Sequence, residues 1–210
     1  MIRDLPGRTT GVDEVGVGAL AGPVVAAAVV LGPKFDPERI KGRHGRLQDS
    51  KRMSKKRIPG AAAHIRKTCW VGIGCVSAKV IDRIGIRAAT LKAMKSAIRH
   101  LAKTHHVDDI IVDGPRAIPG LVNQIPTVKA DVLYPCVTAA SLVAKAYRDA
   151  MMRRKAKTYP QFGFETNVGY CTAAHRSALN CQGPCVLHRR SFIKMAETCI
   201  KSPEKPPQET

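Results

Sequence analysis

The stretch GVDEVGVGALAGPVVAAAVVL, residues 11–31, sets two acids, Asp13 and Glu14, at the head of a long apolar run, and no further charge appears until Lys34. Glu14 and the glycine-rich segment 16–22 divide the run into two strand-like pieces, near 9–15 and near 23–31. Val24, Val25, Val29 and Val30 give the second piece the β-branched character of a buried strand. The uncharged length touches the threshold for a membrane span, but Pro23, Pro33 and four glycines interrupt it. Acids rather than basic residues stand directly upstream, which argues against a signal peptide. A buried strand pair explains the run better than a membrane role. Neighbouring residues of a regular strand point to opposite faces, so the two acids share a site only if the chain bends. Gly16 and Gly18 permit a bulge or bend just downstream that brings both acids to one rim.

The rest of the chain is read outward from this pair. "CWVGIGCVSA" (69–78) is a third strand, and residues 86–103 repeat apolar side chains at helical spacing. "DDIIVDG" (108–114) is a short buried strand ending in an acid and a glycine turn, and "VKADVLYP" (128–135) is a weaker strand with an acid near its centre. Residues 137–157 form a helix, followed by the loop "YPQFGF" and a short helix near 172–180. Segment 34–50 is a polar loop, and a helix that Pro59 and Gly60 interrupt is expected from Ser54. Strands first, then helix–strand alternation, indicate an α/β sheet with helices packed on it. The expected organisation is one domain over 1–201, helical from about 150, with a disordered tail at 202–210.

Across 210 residues, 35 Lys and Arg stand against 16 Asp and Glu, a net charge of +19. A partner dense in negative charge follows directly, and nucleic acid is the commonest one. A merely basic surface, or RNA binding without catalysis, would carry the same charge. With four Phe, four Tyr and one Trp, a stacking platform for single strands is not expected. Seven cysteines without a CxxC pair fit reduced thiols in a cytoplasm. Cys181 and Cys185 approach ligand spacing, but no second pair completes a zinc site.

Three strand-like segments thus carry acids in apolar surroundings: Asp13 with Glu14, Asp113, and Asp131. Taken singly, Asp113 before Gly114 reads as a turn residue and Asp131 as a loop acid. Brought together, four carboxylates repel, and a divalent cation is the simple remedy. All-oxygen ligation favours Mg²⁺ or Mn²⁺ over zinc. Two such ions activate a water and stabilise a leaving oxygen of a phosphodiester, while the basic surface holds the polymer.

In order along the chain, "GVDEVGVGALAGPVVAAAVVL", "DSKRMSKKR", "IVDGPRAIP", "TAASLVAKAYRD", "YPQFGF", "GYCTAAH" and "GPCVLHRRSF" resemble the bacterial type 2 ribonuclease H family, ribonuclease HII. The resemblance runs from about Gly11 to Phe192. It implies a ribonuclease H-like mixed sheet flanked by helices, with a C-terminal helical extension. It also implies endonucleolytic cleavage of RNA in RNA–DNA hybrids and at ribonucleotides embedded in duplex DNA, leaving 3′-OH and 5′-phosphate ends. The family's metal-binding, catalytic acids fall on Asp13, Glu14, Asp113 and Asp131, and its Gly-Arg-Gly reader of the ribose 2′-OH falls on Gly16, Val17 and Gly18. Its junction-sensing tyrosine falls on Tyr170. Lys51 is expected to position phosphate, as is the stripe Ser141, Lys145 and Arg148 along one helix face. A monomer in the cytoplasm is the default expectation.

The chain departs from the pattern at Val17, where the family has arginine, at Pro115, where "DGN" is usual, at Val168, where a lysine precedes "GYGT", and at Cys171, where that motif has glycine. With the four acids intact, metal chemistry is expected to persist. The alternative is a weakened or inactive hybrid-binding protein that has lost the guanidinium at position 17. A type 3 ribonuclease H is the more distant enzymatic alternative.

Overall fold

The apolar run folds back on itself. β1 (Thr10–Val15) pairs antiparallel with β2 (Val24–Val30) in an unbroken register, from Thr10 opposite Val30 to Val15 opposite Val25. The computed structural model describes residues 9–40 and 53–193. Lys51, most of the polar loop 34–50 and the tail 202–210 therefore lie outside the described residues.

Five strands form one mixed sheet in the order β3-β2-β1-β4-β5. β3 (Trp70–Val76) pairs antiparallel with β2, while β4 (Ile110–Asp113) runs parallel to β1 and β5 (Gln124–Thr127) parallel to β4. Every residue of β2 is buried, as expected of a strand with neighbours on both sides and helices on both faces. The helices are α1 (Ile58–Thr68), α2 (Ala78–Ile84), α3 (Ile86–Leu101), α4 (Pro135–Ala156), α5 (Phe164–Asn167) and α6 (Ala173–Gln182). On one face Val12, Val24, Ala26 and Ala28 pack against Ala93, Met94 and Ala97 of α3. On the other, Val25, Ala27 and Val29 pack against Ala139, Ala140 and Val143 of α4 and Ile65 of α1. A separate cluster around Met152, Phe162, Phe164 and Leu179 holds the C-terminal helices together.

Two expectations change. Segment 128–135 is not a strand: it holds a 3₁₀ turn (Ala130–Val132) and the start of α4 at Pro135, and the fifth strand lies earlier, at Gln124–Thr127. Proline at the first helical position begins a helix well, because its missing N–H has no partner to lose there. The β1–β2 register stays regular through Val15, and the chain bends just downstream of it, where Gly16 holds φ +88. The helix expected from Ser54 begins at Ile58, with Pro59 tolerated in its first turn.

Candidate active site

Strand periodicity sends Asp13 and Glu14 to opposite faces, as expected of a regular strand. Asp13 shares a hydrogen bond with Ser141 of α4, whereas Glu14 borders a cavity floored by Ile86, Leu91 and Met94 of α3. They meet because the strand ends there. The parallel pairing of β1 and β4 places Val12 opposite Val112, so Asp13 and Asp113 leave the pair side by side. Such carboxyl ends of parallel strands open a crevice in α/β sheets. A cavity of about 260 Å³ wraps this end of the sheet, bordered by all four acids together with Ser141, Lys145 and Tyr170. The second cavity, on the α3 side, shares Glu14 and Asp113 and adds Arg87 and Arg116 at its edge.

Burial pushes the Asp13 carboxyl well above the ordinary range, and the charges of Glu14 and Asp113 add to the rise. Two hydrogen bonds oppose it, from the Ser141 hydroxyl and from the Glu14 backbone N–H at 2.7 Å. The Ala130 N–H donates to Asp113 Oδ1 at 2.8 Å, tying the end of β4 to the turn that carries Asp131. Thr138 Oγ1 donates to the Asp131 carbonyl at 2.6 Å and pins that turn to α4. The donor set is all oxygen and carries surplus negative charge, which suits a hard divalent cation. Among the described residues, no three His, Cys, Asp or Glu side chains stand close enough to share one ion as they lie. Backbone and hydroxyl donors hold the Asp13 and Asp113 carboxylates in place where the β1–β4 pair ends.

Not every expected contact faces the cavity. Arg148 is 0 % exposed, and its guanidinium donates to the carbonyls of Pro23, Val168 and Ala21 at 2.9, 2.9 and 3.0 Å. It is internal scaffolding rather than a surface contact for phosphate, because every donor-bearing nitrogen is already engaged. Lys145 does border the cavity, with its ammonium 3.1 Å from Asp149 Oδ2. Gly16, Val17 and Gly18 form one wall, and Tyr170 also borders the cavity, its ring 5.2 Å from the Arg148 guanidinium. Just upstream, Val168 holds φ +43, a left-handed conformation that a β-branched residue adopts under strain.

Sequence reading missed what lies behind this wall. Arg189 is 0 % exposed and holds the carbonyls of Gly16, Val17 and Gly22. Beside it, His175 and His188 form a directed chain. The Cys185 N–H donates to His188 Nδ1 at 3.0 Å, so His188 carries its proton on Nε2 and donates to His175 Nε2 at 3.0 Å. His175 must then carry its proton on Nδ1, which donates to the Tyr170 carbonyl at 2.8 Å. Burial holds both imidazoles neutral, His188 down to about 4, with the neighbouring His175 adding to the fall. All four residues Cys185, His188, Arg189 and His175 lie in segments noted for their family likeness, but no local pattern distinguished their roles.

Solved structures define the class. The ribonuclease HII of the PCNA complex from Archaeoglobus fulgidus superposes with a TM-score of 0.70 and 26 % identity, over 97 % of this chain and 98 % of that one. Ribonuclease H2 from Pyrococcus horikoshii gives 0.67 at 22 % identity, over 92 % and 99 %. The fold is that of a ribonuclease H-like nuclease. In sequence, the ribonuclease HII profile matches residues 10–195. Ribonuclease HII of Maricaulis maris is 43 % identical over 88 % of this chain and 81 % of its own, and that of a Synechococcus strain 45 % identical over 90 % and 83 %. The chain belongs to the ribonuclease HII family, and is accordingly a type 2 ribonuclease H, an endonuclease that hydrolyses RNA.

Proposed function

We propose that the cavity at the ends of β1 and β4 is the catalytic centre and that it cuts the phosphodiester on the 5′ side of a ribonucleotide. The substrates would be RNA–DNA hybrids and duplex DNA with embedded ribonucleotides, and the products 3′-OH and 5′-phosphate ends. The observation that carries this reading is Asp13, buried with Glu14 and Asp113 beside it at the mouth of the parallel pair. Asp13, Glu14, Asp113 and Asp131 would hold Mg²⁺ or Mn²⁺, which supply a water activated as nucleophile and charge stabilisation at the leaving oxygen. A related fold, Bst-RNase HIII at 17 % identity, was solved with Mn²⁺. Ser141 keeps the Asp13 carboxylate oriented, and Lys145 brings positive charge to the cavity wall. Gly16–Gly18 would read the ribose through the backbone and Tyr170 would pack on the following deoxyribose, while Lys51 would position phosphate.

The test uses two duplexes, one with a single ribonucleotide and one a continuous hybrid, each with Mg²⁺ or Mn²⁺. Both should be cut, and Asp13→Asn should lower the rate on each by about 10³-fold, an electrostatic loss of several kcal/mol. Binding without cutting of either duplex by the native chain would instead establish the hybrid-binding alternative. Cutting of the continuous hybrid alone would show that Val17 has cost the loop its recognition of isolated ribonucleotides.

A further inference from the structure

Arg148 and Arg189 are wholly buried, and among the described residues neither forms an ion pair with a carboxylate. Burying a guanidinium without a counter-charge is costly, so such groups are held where backbone acceptors replace the lost water. Arg189 does this with three carbonyls: Nε donates to Gly22 at 3.0 Å, Nη1 to Val17 at 2.8 Å and Nη2 to Gly16 at 2.6 Å. The Phe192 ring lies 5.0 Å from its guanidinium carbon. Burial and the neighbouring Arg148 hold the Arg189 guanidinium down to about 10, which leaves it charged at neutral pH.

The consequence follows from peptide geometry. In a trans peptide the carbonyl and the following N–H point in opposite directions. With the Gly16 and Val17 carbonyls drawn inward to Arg189, the N–H groups of Val17 and Gly18 turn the other way, where the loop borders the cavity. Neither N–H has a hydrogen-bond partner among the described residues. A Cβ at position 16 would collide with the Arg148 side chain, so Gly16 lets the loop settle directly on the arginine pair. Arg148 extends the support to the Val168 carbonyl and the Tyr170 ring.

We propose that Arg189, backed by Arg148, is the positioning residue for ribose recognition: it fixes the Gly16–Gly18 loop so that the Val17 and Gly18 N–H groups donate to the 2′-hydroxyl. This rests on the reading of that loop given above. The side chain at position 17 takes no part in the device. A valine there leaves both donors in place.

Equilibrium binding to two duplexes of one sequence, one carrying a single ribonucleotide and one all DNA, tests this in chelator with no divalent cation. Fluorescence anisotropy gives the ratio of the two affinities. Arg189→Lys keeps the charge but loses the three-pronged grip, and the preference for the ribonucleotide should fall about tenfold, equivalent to the loss of one strong hydrogen bond. A merely structural role would lower both affinities together and leave their ratio intact. Phe192→Leu is the milder companion, removing only the ring against the guanidinium, and should lower the ratio about threefold by the same logic. A folded Arg189→Lys chain with the native preference overturns the proposal. If Arg189→Lys does not fold, an unchanged ratio in Phe192→Leu overturns it. A native chain with no preference overturns the reading of the loop, and the proposal with it.

Discussion

Asp13 sits among like charges in a place that water reaches poorly. Its carboxyl is raised in the folded chain, first by burial and then by Glu14 and Asp113. A carboxyl raised on folding favours the native state below its unfolded value of 3.8, and that benefit is lost as pH climbs through the folded value. At neutral pH and without a cation, Asp13 therefore works against the fold. Asp13→Asn should raise the thermal midpoint of the cation-free chain at neutral pH while removing cleavage. Adding Mg²⁺ or Mn²⁺ should raise the native midpoint more than that of the variant, because a bound ion stabilises the native state alone. Differential scanning fluorimetry in chelator and in added cation measures both. Acids such as Asp13 were legible in the sequence because a charge in an apolar run stands out and demands compensation. Arg189 was not. One arginine among 35 Lys and Arg leaves no local signal, and the carbonyls it holds at Gly16 and Val17 lie 173 and 172 residues away.

At the scale of elements, β1, β2 and β4 announced themselves because both faces of each are covered, and burial forces a continuous apolar run. β5 did not. It is a four-residue edge strand containing Pro126, with Ile125 58 % exposed, so neither burial nor alternation marked it. Its neighbour 128–135 showed more apolar character and misled for that reason. The opposite edge carries a constraint of another kind. A Cβ at Gly74 of β3 would run into the backbone of Ala93 and lie 2.7 Å from the Ala97 nitrogen, both on α3. Gly74→Ala should cost about 2–3 kcal/mol, the usual penalty of overpacking, read from the shift of the urea midpoint. The C-terminal helices carry a pH limit as well. Imidazoles held neutral in the fold stabilise it above the unfolded value of 6.5, and the benefit is lost as pH falls toward about 4 for His188. The native midpoint should therefore fall between those limits. His188→Gln should start lower and lose less over that interval, as circular dichroism melts across pH would show.

For the molecule as a whole, the net charge of +19 acts on every phosphate alike. Affinity for any duplex should drop on the order of 10³-fold or more between about 50 and 200 mM salt, as counterions compete for the phosphates. The ratio between ribonucleotide-containing and all-DNA duplexes should stay nearly flat, because neutral amide donors on the loop generate it. Titrations of both duplexes at several salt concentrations separate these terms.

The bond from Arg189 to Gly16 also bears on how the protein comes into being. A chain leaving the ribosome delivers Asp13 and Glu14 first, then Asp113, Asp131 and the helix that carries Ser141. Arg189 emerges some 173 residues after the loop it must hold. Until then the Gly16 and Val17 carbonyls lack the guanidinium that holds them in the finished fold. Premature termination before that point would leave the four acids in the chain but without the arginine that sets the loop beside them.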